Sequence, residues 1–209
     1  MLRDAAMQQT AHSLPHGPAL PQGTLERLHV YAALLQKWTR RINLVSAADQ
    51  DSVWSRHVID SLRLLPLIPP GTARGIDLGS GAGLPGLVLA IASGIPFDLV
   101  EADRRKAAFL IEAQRVTEAP VQVHCARIEA LQLAPAPLVT ARALAPLPEL
   151  LGLAFPLLAP GGTCLFPKGV RAPEEMAAAR LAWRMDVRTV PDPAQPGSAV
   201  LVITGLHRA

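Results

Sequence analysis

From Leu25 onward, apolar positions recur at three- and four-residue steps: Leu25, Leu28, Ala32, Leu35, Trp38 and Ile42. That spacing predicts an amphipathic helix whose last turns carry Lys37, Arg40 and Arg41, cations that suit a helix C-terminus. A short connection over 43–49 leads to a second predicted helix around Ser52 to Leu65, stopped by Pro66, Pro69, Pro70 and Gly71. Beyond Gly71 the pattern changes, and short apolar runs alternate with helical segments. Strands are predicted at 73–78, 97–100, 121–125, 137–141 and 163–166, with helices at 85–93, 104–116, 148–158 and 173–185. Ile128 to Leu131 reads as a short helical stretch. The runs 186–190 and 199–204 read as a closing antiparallel pair. Such alternation predicts an α/β fold with a mostly parallel, seven-stranded sheet, helices on both faces and a helical extension in front.

Residues 1–22 show no period and mix His, Pro, Gly, Ser and Gln, which predicts a flexible N-terminal arm. His12 and His16 within it lack further ligand partners and read as solvated side chains. Residues 23–70 form the expected extension and 71–209 the main domain. The richest apolar stretch, Leu84 to Val100, is interrupted by Pro85, Gly94 and Pro96, so no membrane span is expected. Met1-Leu2-Arg3-Asp4 has no apolar run behind it, which predicts no secretory leader. Cys125 and Cys164 stand far apart and outside any metal-ligand spacing. A cytoplasmic protein without metal or disulfide framework is therefore expected. The net charge of +3 permits a polyanionic partner without requiring one.

The chemistry concentrates in Gly75-Ile76-Asp77-Leu78-Gly79-Ser80-Gly81-Ala82-Gly83-Leu84-Pro85-Gly86, placed between a strand and a helix. A parallel sheet opens its ligand crevice at such a junction, and glycines let the backbone turn tightly against a ligand. Glu101 ends the next strand, where a carboxylate can grip ribose hydroxyls. Gly81 to Gly86 also satisfies the dinucleotide fingerprint, so a nicotinamide-dependent oxidoreductase is a rival. Asp77 tips the balance between them without removing the rival. Beside a pyrophosphate its charge would repel, by about 4 kcal/mol for unit charges 4 Å apart at an effective dielectric near 20. Beside the ammonium of a methionine moiety it would attract. The turn therefore favours S-adenosylmethionine in a Rossmann-like domain, with Asp77, Gly79, Gly81, Gly83, Leu84 and Glu101 as candidate cofactor residues.

Several further segments carry a resemblance. Trp38-Thr39-Arg40-Arg41-Ile42-Asn43-Leu44, Arg56-His57-Val58-Ile59-Asp60-Ser61, the glycine turn with its Pro85-Gly86, Arg105-Lys106-Ala107, Arg127-Ile128-Glu129, Thr140-Ala141-Arg142-Ala143 and Lys168-Gly169 occur in order. Together they resemble the RsmG (GidB) family of bacterial 16S rRNA guanine-N7 methyltransferases. The resemblance runs from about Leu34 to Gly169. It departs at Thr39, where asparagine is usual, at Glu101, where aspartate is frequent, and at Pro167, where a large apolar residue is usual. It implies a Rossmann-like class I methyltransferase fold and S-adenosylmethionine as cofactor. It also implies, as partner, 16S rRNA or the small ribosomal subunit, methylated at a guanine N7. By position, cofactor contacts fall on Gly79, Leu84, Ile128, Glu129 and Arg142, with Ile128 and Glu129 flanking the adenine.

The chemistry agrees with what the chain lacks. Guanine N7 attacks with a lone pair and has no proton to lose, so alignment suffices and no general base is needed. Thr140-Ala141-Arg142-Ala143 is not the motif used on exocyclic amines, and no proline precedes Cys125 in a nucleophile loop. Arg142, at a strand's carboxyl end, is the candidate catalytic residue, able to hold guanine O6, a phosphate or the cofactor's carboxylate. Arg56, His57, Lys106 and Lys168 are candidate RNA contacts, with Asp60 a candidate brace for Arg56 at i, i+4. With aromatic residues at 4%, recognition by shape and phosphate is expected over base stacking. A monomer is expected. An RNA-binding module without activity, and a methyltransferase acting on a protein or small molecule, remain open at this point.

Overall fold

The structure is a computed structural model that describes residues 20–46, 52–193 and 195–209. His12 and His16 lie outside them, as does part of the 43–49 connection. Helix α1 (Gln22–Thr39) buries Thr24, Leu28, Tyr31, Ala32, Leu35 and Thr39, one stripe at three- and four-residue steps. Leu20 is buried and joins the core, so the fold takes in part of the segment assigned to the arm. Instead of one helix over 52–65, a π-helical turn (Trp54–Val58) runs into a short α2 (Ile59–Leu62) and a 3-10 turn (Leu65–Leu67).

The main domain runs β1 (Gly75–Leu78), α3 (Gly86–Ser93), β2 (Phe97–Glu101), α4 (Arg104–Thr117), β3 (Val121–Cys125), β4 (Ala136–Ala141), α5 (Leu147–Ala154), β5 (Leu158–Lys168), α6 (Ala172–Ala179), β6 (Trp183–Pro191) and β7 (Ala199–Arg208). The seven strands lie in the order β3-β2-β1-β4-β5-β7-β6. β1 to β5 are parallel, and β7 runs antiparallel to both β5 and β6. The sheet, its mostly parallel sense and the closing antiparallel pair are as expected.

Two helices end earlier than the periodicity predicts. α5 stops at Ala154, and Pro156, which has no N–H to give a continuing helix, sits in the following 3-10 turn. α6 stops at Ala179 because Trp183 is drawn into β6: it pairs with Arg208 across the ladder, packs at 5.4 Å from the Phe155 ring and lies under the Arg208 guanidinium. Tertiary packing overrides local helix propensity there.

Alternate strand residues feed two cores. Ile76, Leu78, Val100, Val139, Ala141 and Phe166 pack toward α5 and α6. Leu99, Leu138 and Leu165 pack toward α3 and α4, and this second core continues through Leu28, Tyr31, Leu35 and Leu62 of the extension. Arg27 Nη2 donates to Ile91 O at 3.1 Å, and Trp38 Nε1 to Glu112 Oε2 at 3.0 Å. The division near residue 70 is therefore one of sequence, not of packing. Thr39 faces this interior, its Oγ1 donating to Leu35 O at 2.8 Å.

Candidate active site

The glycine turn joins β1 to α3 at the carboxyl edge of the parallel strands, where expected. Gly79, Gly81 and Gly83 all have φ between 55° and 85°, a region that favours glycine. Their surroundings differ. A Cβ on Gly83 would strike Leu87 and Leu110, and one on Gly86 would strike Asp77, so these two glycines let α3 pack onto β1. A Cβ on Gly79 would strike Leu144. Only at Gly81 would a Cβ meet nothing closer than 3.8 Å, which leaves that corner open for a ligand to approach. Leu84 turns its side chain into the core, so only its main chain is left to face a ligand.

Glu101 ends β2 and closes the turn from the side. Its Oε2 accepts from Gly81 N at 2.8 Å and its Oε1 from Asp103 N at 2.8 Å. It is both a brace for the open corner and an acidic group beside it. Asp77 is not at the mouth. It is fully buried beneath Gly86, facing Thr140 in register on β4, and Thr140 Oγ1 donates to its Oδ1 at 2.6 Å. Its Oδ2 meets no hydrogen-bond donor among the described residues. Burial pushes the carboxyl up to about 6, against the Thr140 hydrogen bond and the Arg142 charge, which both favour ionisation. When ionised, Asp77 therefore acts on the turn as a negative charge from below it. That charge still opposes a pyrophosphate.

On the other side of the turn lies a cavity of about 860 Å³, walled by the π-turn and α2, the loop after β4, the end of β5 and the β6–β7 connection. Pro85 and Leu144 belong both to this wall and to the surroundings of the glycine turn. Arg142 stands at the end of β4 inside the cavity, its Nη2 3.3 Å from His57 Nδ1. The structure thus brings Arg142, His57 and Arg56 together. Lys168 also lines the cavity, but it is not poised for phosphate. Its Nζ donates to Ala145 O at 2.7 Å and Glu175 Oε2 at 2.8 Å, and Glu175 Oε2 also accepts from Leu147 N at 2.9 Å. That pair holds the loop after β4 in place. Lys106 is not among the cavity residues; it sits in the first turn of α4, where Asp103 caps the helix. Ile128 and Glu129 follow β3 in a 3-10 turn, Ile128 packed on the core that faces α5 and α6 and Glu129 exposed beside Arg127.

Sequence reasoning missed several residues that position the site. Asp60 pairs with Arg63 at 2.9 Å while the Arg56 charge also acts on it, and Arg63 reaches Asp192 at 2.7 Å. Tyr31, fully buried, donates to Ala82 O at 2.6 Å, tying α1 to the glycine turn. Tyr31 lay within the predicted helix but not among the positions named for its apolar stripe, and nothing in the sequence linked it to Ala82. Among the described residues there is no cluster of three metal-ligating side chains, and no helix is long and apolar enough to cross a membrane.

Comparison with known proteins places this geometry in context. The sequence model of the family described as rRNA small subunit methyltransferase G (GidB) matches residues 24–194. The protein named ribosomal RNA small subunit methyltransferase G in Granulibacter bethesdensis is 51% identical over 93% of this chain and 92% of its own length. The protein of that name in Acidiphilium cryptum is 54% identical over 87% of this chain and 85% of its own. Among solved structures, the N-methyltransferase NodS of Bradyrhizobium japonicum, in complex with S-adenosyl-L-homocysteine, has a similar fold. It superimposes with a TM-score of 0.55 at 14% identity, covering 84% of this chain and 97% of that one. An O-methyltransferase from Bacillus cereus has a TM-score of 0.54 at 13% identity, over 87% and 90% of the two chains. These structural likenesses establish the fold alone, the Rossmann-like fold of class I methyltransferases.

Proposed function

Because the chain belongs to the GidB family, the rRNA small subunit methyltransferase G proteins, we propose that it methylates N7 of a guanine in 16S rRNA, using S-adenosyl-L-methionine. The observation that carries this reading is a shared wall: Pro85 and Leu144 line the acceptor cavity and also bound the glycine turn. A donor held at the turn and a base entering the cavity would meet there.

The residues present fit the cofactor. Gly81 leaves an open corner that no side chain fills, and Glu101 places a carboxylate beside it for ribose hydroxyls. Gly79, Gly83 and Leu84 shape the rest of the turn, Ile128 and Glu129 would flank the adenine, and Asp77 would supply negative potential from below. When bound, S-adenosylmethionine supplies a methyl group activated by its sulfonium. The acceptor side has the simpler task. Guanine N7 loses no proton on attack, so the chain must align the base and exclude competing orientations. Arg142 is the group placed to hold O6 or a neighbouring phosphate, with His57 setting its guanidinium and Arg56 extending the positive wall. Lys168 serves through the loop it holds. Lys106 lies outside the cavity and contributes, at most, a peripheral phosphate contact. We read the protein as a cytoplasmic monomer acting on rRNA or the small subunit.

The deciding experiment maps N7-methylguanine in small-subunit rRNA from cells with and without the protein, paired with transfer of labelled methyl from the cofactor. One guanine is expected to change. Binding to NADH without binding to S-adenosylhomocysteine, or label that never enters small-subunit rRNA, would overturn the reading.

A further inference from the structure

Three carboxylates face the acceptor cavity: Asp60, Glu175 and Asp192. Two are committed to the fold. Glu175 Oε2 holds Lys168 and the Leu147 amide, and Asp192 Oδ1 receives Arg63 Nη1 at 2.7 Å. Asp60 Oδ1 shares that guanidinium at 2.9 Å. Its Oδ2 is different: it receives Gln195 Nε2 at 3.4 Å, longer than an ordinary N–H···O bond. An ionised carboxylate has about four acceptor positions, so Asp60 keeps capacity to spare. Its side chain is 17% exposed, which is enough to be reached from the cavity and little enough to strengthen a hydrogen bond.

We propose that Asp60 determines specificity by accepting hydrogen bonds from the N1–H and N2 amine of the acceptor guanine. This rests on the guanine-N7 reading above. Guanine carries N7 and O6 on one edge and its N1–H and N2 donors around the ring from them. With N7 turned toward the glycine turn, those donors face the part of the cavity wall built by α2. A carboxylate there satisfies both donors, whereas adenine would present an acceptor in place of N1–H and be repelled. The local backbone supports the assignment. The π-turn Trp54–Val58 inserts a residue into the helical repeat, and Ser61 Oγ ties back to His57 O at 2.7 Å. His57 and Asp60 thereby face the same cavity, one against Arg142 and the other against Arg63.

The competing role for Asp60 is a brace between α2 and the β6–β7 connection, and the test separates the two. Once the methylated guanine is mapped, the RNA or subunit that accepts methyl is rebuilt with inosine at that position. Inosine keeps N7 and N1–H and lacks only the N2 amine. The wild-type protein is expected to methylate inosine at least about tenfold less efficiently in kcat/KM than guanine. Asp60→Asn is expected to bring that ratio near one, with S-adenosylhomocysteine affinity by calorimetry unchanged. Equal wild-type rates on guanine and inosine overturn the proposal without any variant. So does an Asp60→Asn protein that is slow but keeps its preference for guanine, the mark of a brace. No N7 methylation of the unmodified RNA would overturn both this proposal and the reading beneath it.

Discussion

The two halves of the site are built by different means. On the cofactor side, contacts join residues near in sequence: Glu101 holds Gly81, 20 residues back, and Asp103, two residues on. The working groups there are mostly main-chain amides and positive-φ glycines. On the acceptor side, side chains from remote segments meet: Arg142 and His57 are 85 positions apart, Arg63 and Asp192 are 129, and Asp60 and Gln195 are 135. The first half is built mainly on neighbouring segments: β1, its turn, α3 and the end of β2. The second exists only when the extension, β4 and the β6–β7 connection are docked together. A fold of this kind can keep its donor chemistry while its acceptor changes, because the two are encoded in separate parts of the chain.

Substitutions should therefore separate cofactor binding from transfer. Arg142→Ala is expected to have the largest effect, cutting kcat/KM for RNA by about 100-fold or more through lost alignment. Thermal midpoint and S-adenosylhomocysteine affinity should change little. An equal collapse of cofactor affinity by calorimetry would mean that Arg142 belongs to both halves and would break the comparison. Glu101→Ala works from the other side. It removes a charged acceptor from two amides and from the ribose, and cofactor affinity is expected to fall about 30-fold. Transfer at saturating cofactor should be nearly preserved. Unchanged affinity would remove Glu101 from the cofactor site.

The same contrast explains what could be read from the sequence. The glycine turn was legible because a strand, a glycine run and a helix within one short segment specify it. Its division of labour was not, since Gly83 and Gly86 answer to Leu87, Leu110 and Asp77 in the packed core. Asp77 looked like a group at the mouth until β4 placed Thr140 beside it, 63 positions away. Lys168 looked like a phosphate ligand until α6 supplied Glu175. The π-turn was invisible for a related reason: apolar periodicity does not register one inserted residue. Arg142 could be located at the end of β4, but its partner His57 could not. Where the determinants are local, sequence is enough; where they are side chains brought from elsewhere, it names candidates without their contacts.

Asp77 offers a smaller effect, read through pH. Burial raises its carboxyl from the ordinary 3.8 to about 6, so between those values the folded chain binds more protons than the unfolded one. Its contribution to stability is greatest in acid and is lost as pH rises through about 6. Asp77→Asn removes this dependence. The stability of the variant relative to wild type should rise by on the order of 2 kcal/mol between pH 4.5 and 7.5, measured by denaturant unfolding. A flat difference would show that the Asp77 carboxyl is not held in a fully buried environment.

Tyr31→Phe should have the smallest effect of the four and sharpens the comparison most. The Tyr31 hydroxyl is the direct hydrogen bond from α1 to the glycine turn, donated to Ala82 O at 2.6 Å across 51 positions. Phenylalanine keeps the ring against Phe109 but leaves a buried carbonyl without that donor. A neutral bond of this kind contributes roughly 1 kcal/mol net. The expected result is a stability loss of about that size, with cofactor affinity weakened about fivefold. Transfer at saturating cofactor should be unaffected, because the bond acts on the turn and not on the acceptor cavity. If affinity is unchanged while stability falls, α1 supports only the core and the halves are independent. If both fall together, the extension that walls the acceptor cavity also sets the geometry of the cofactor turn, and this one hydroxyl is where the two halves are joined.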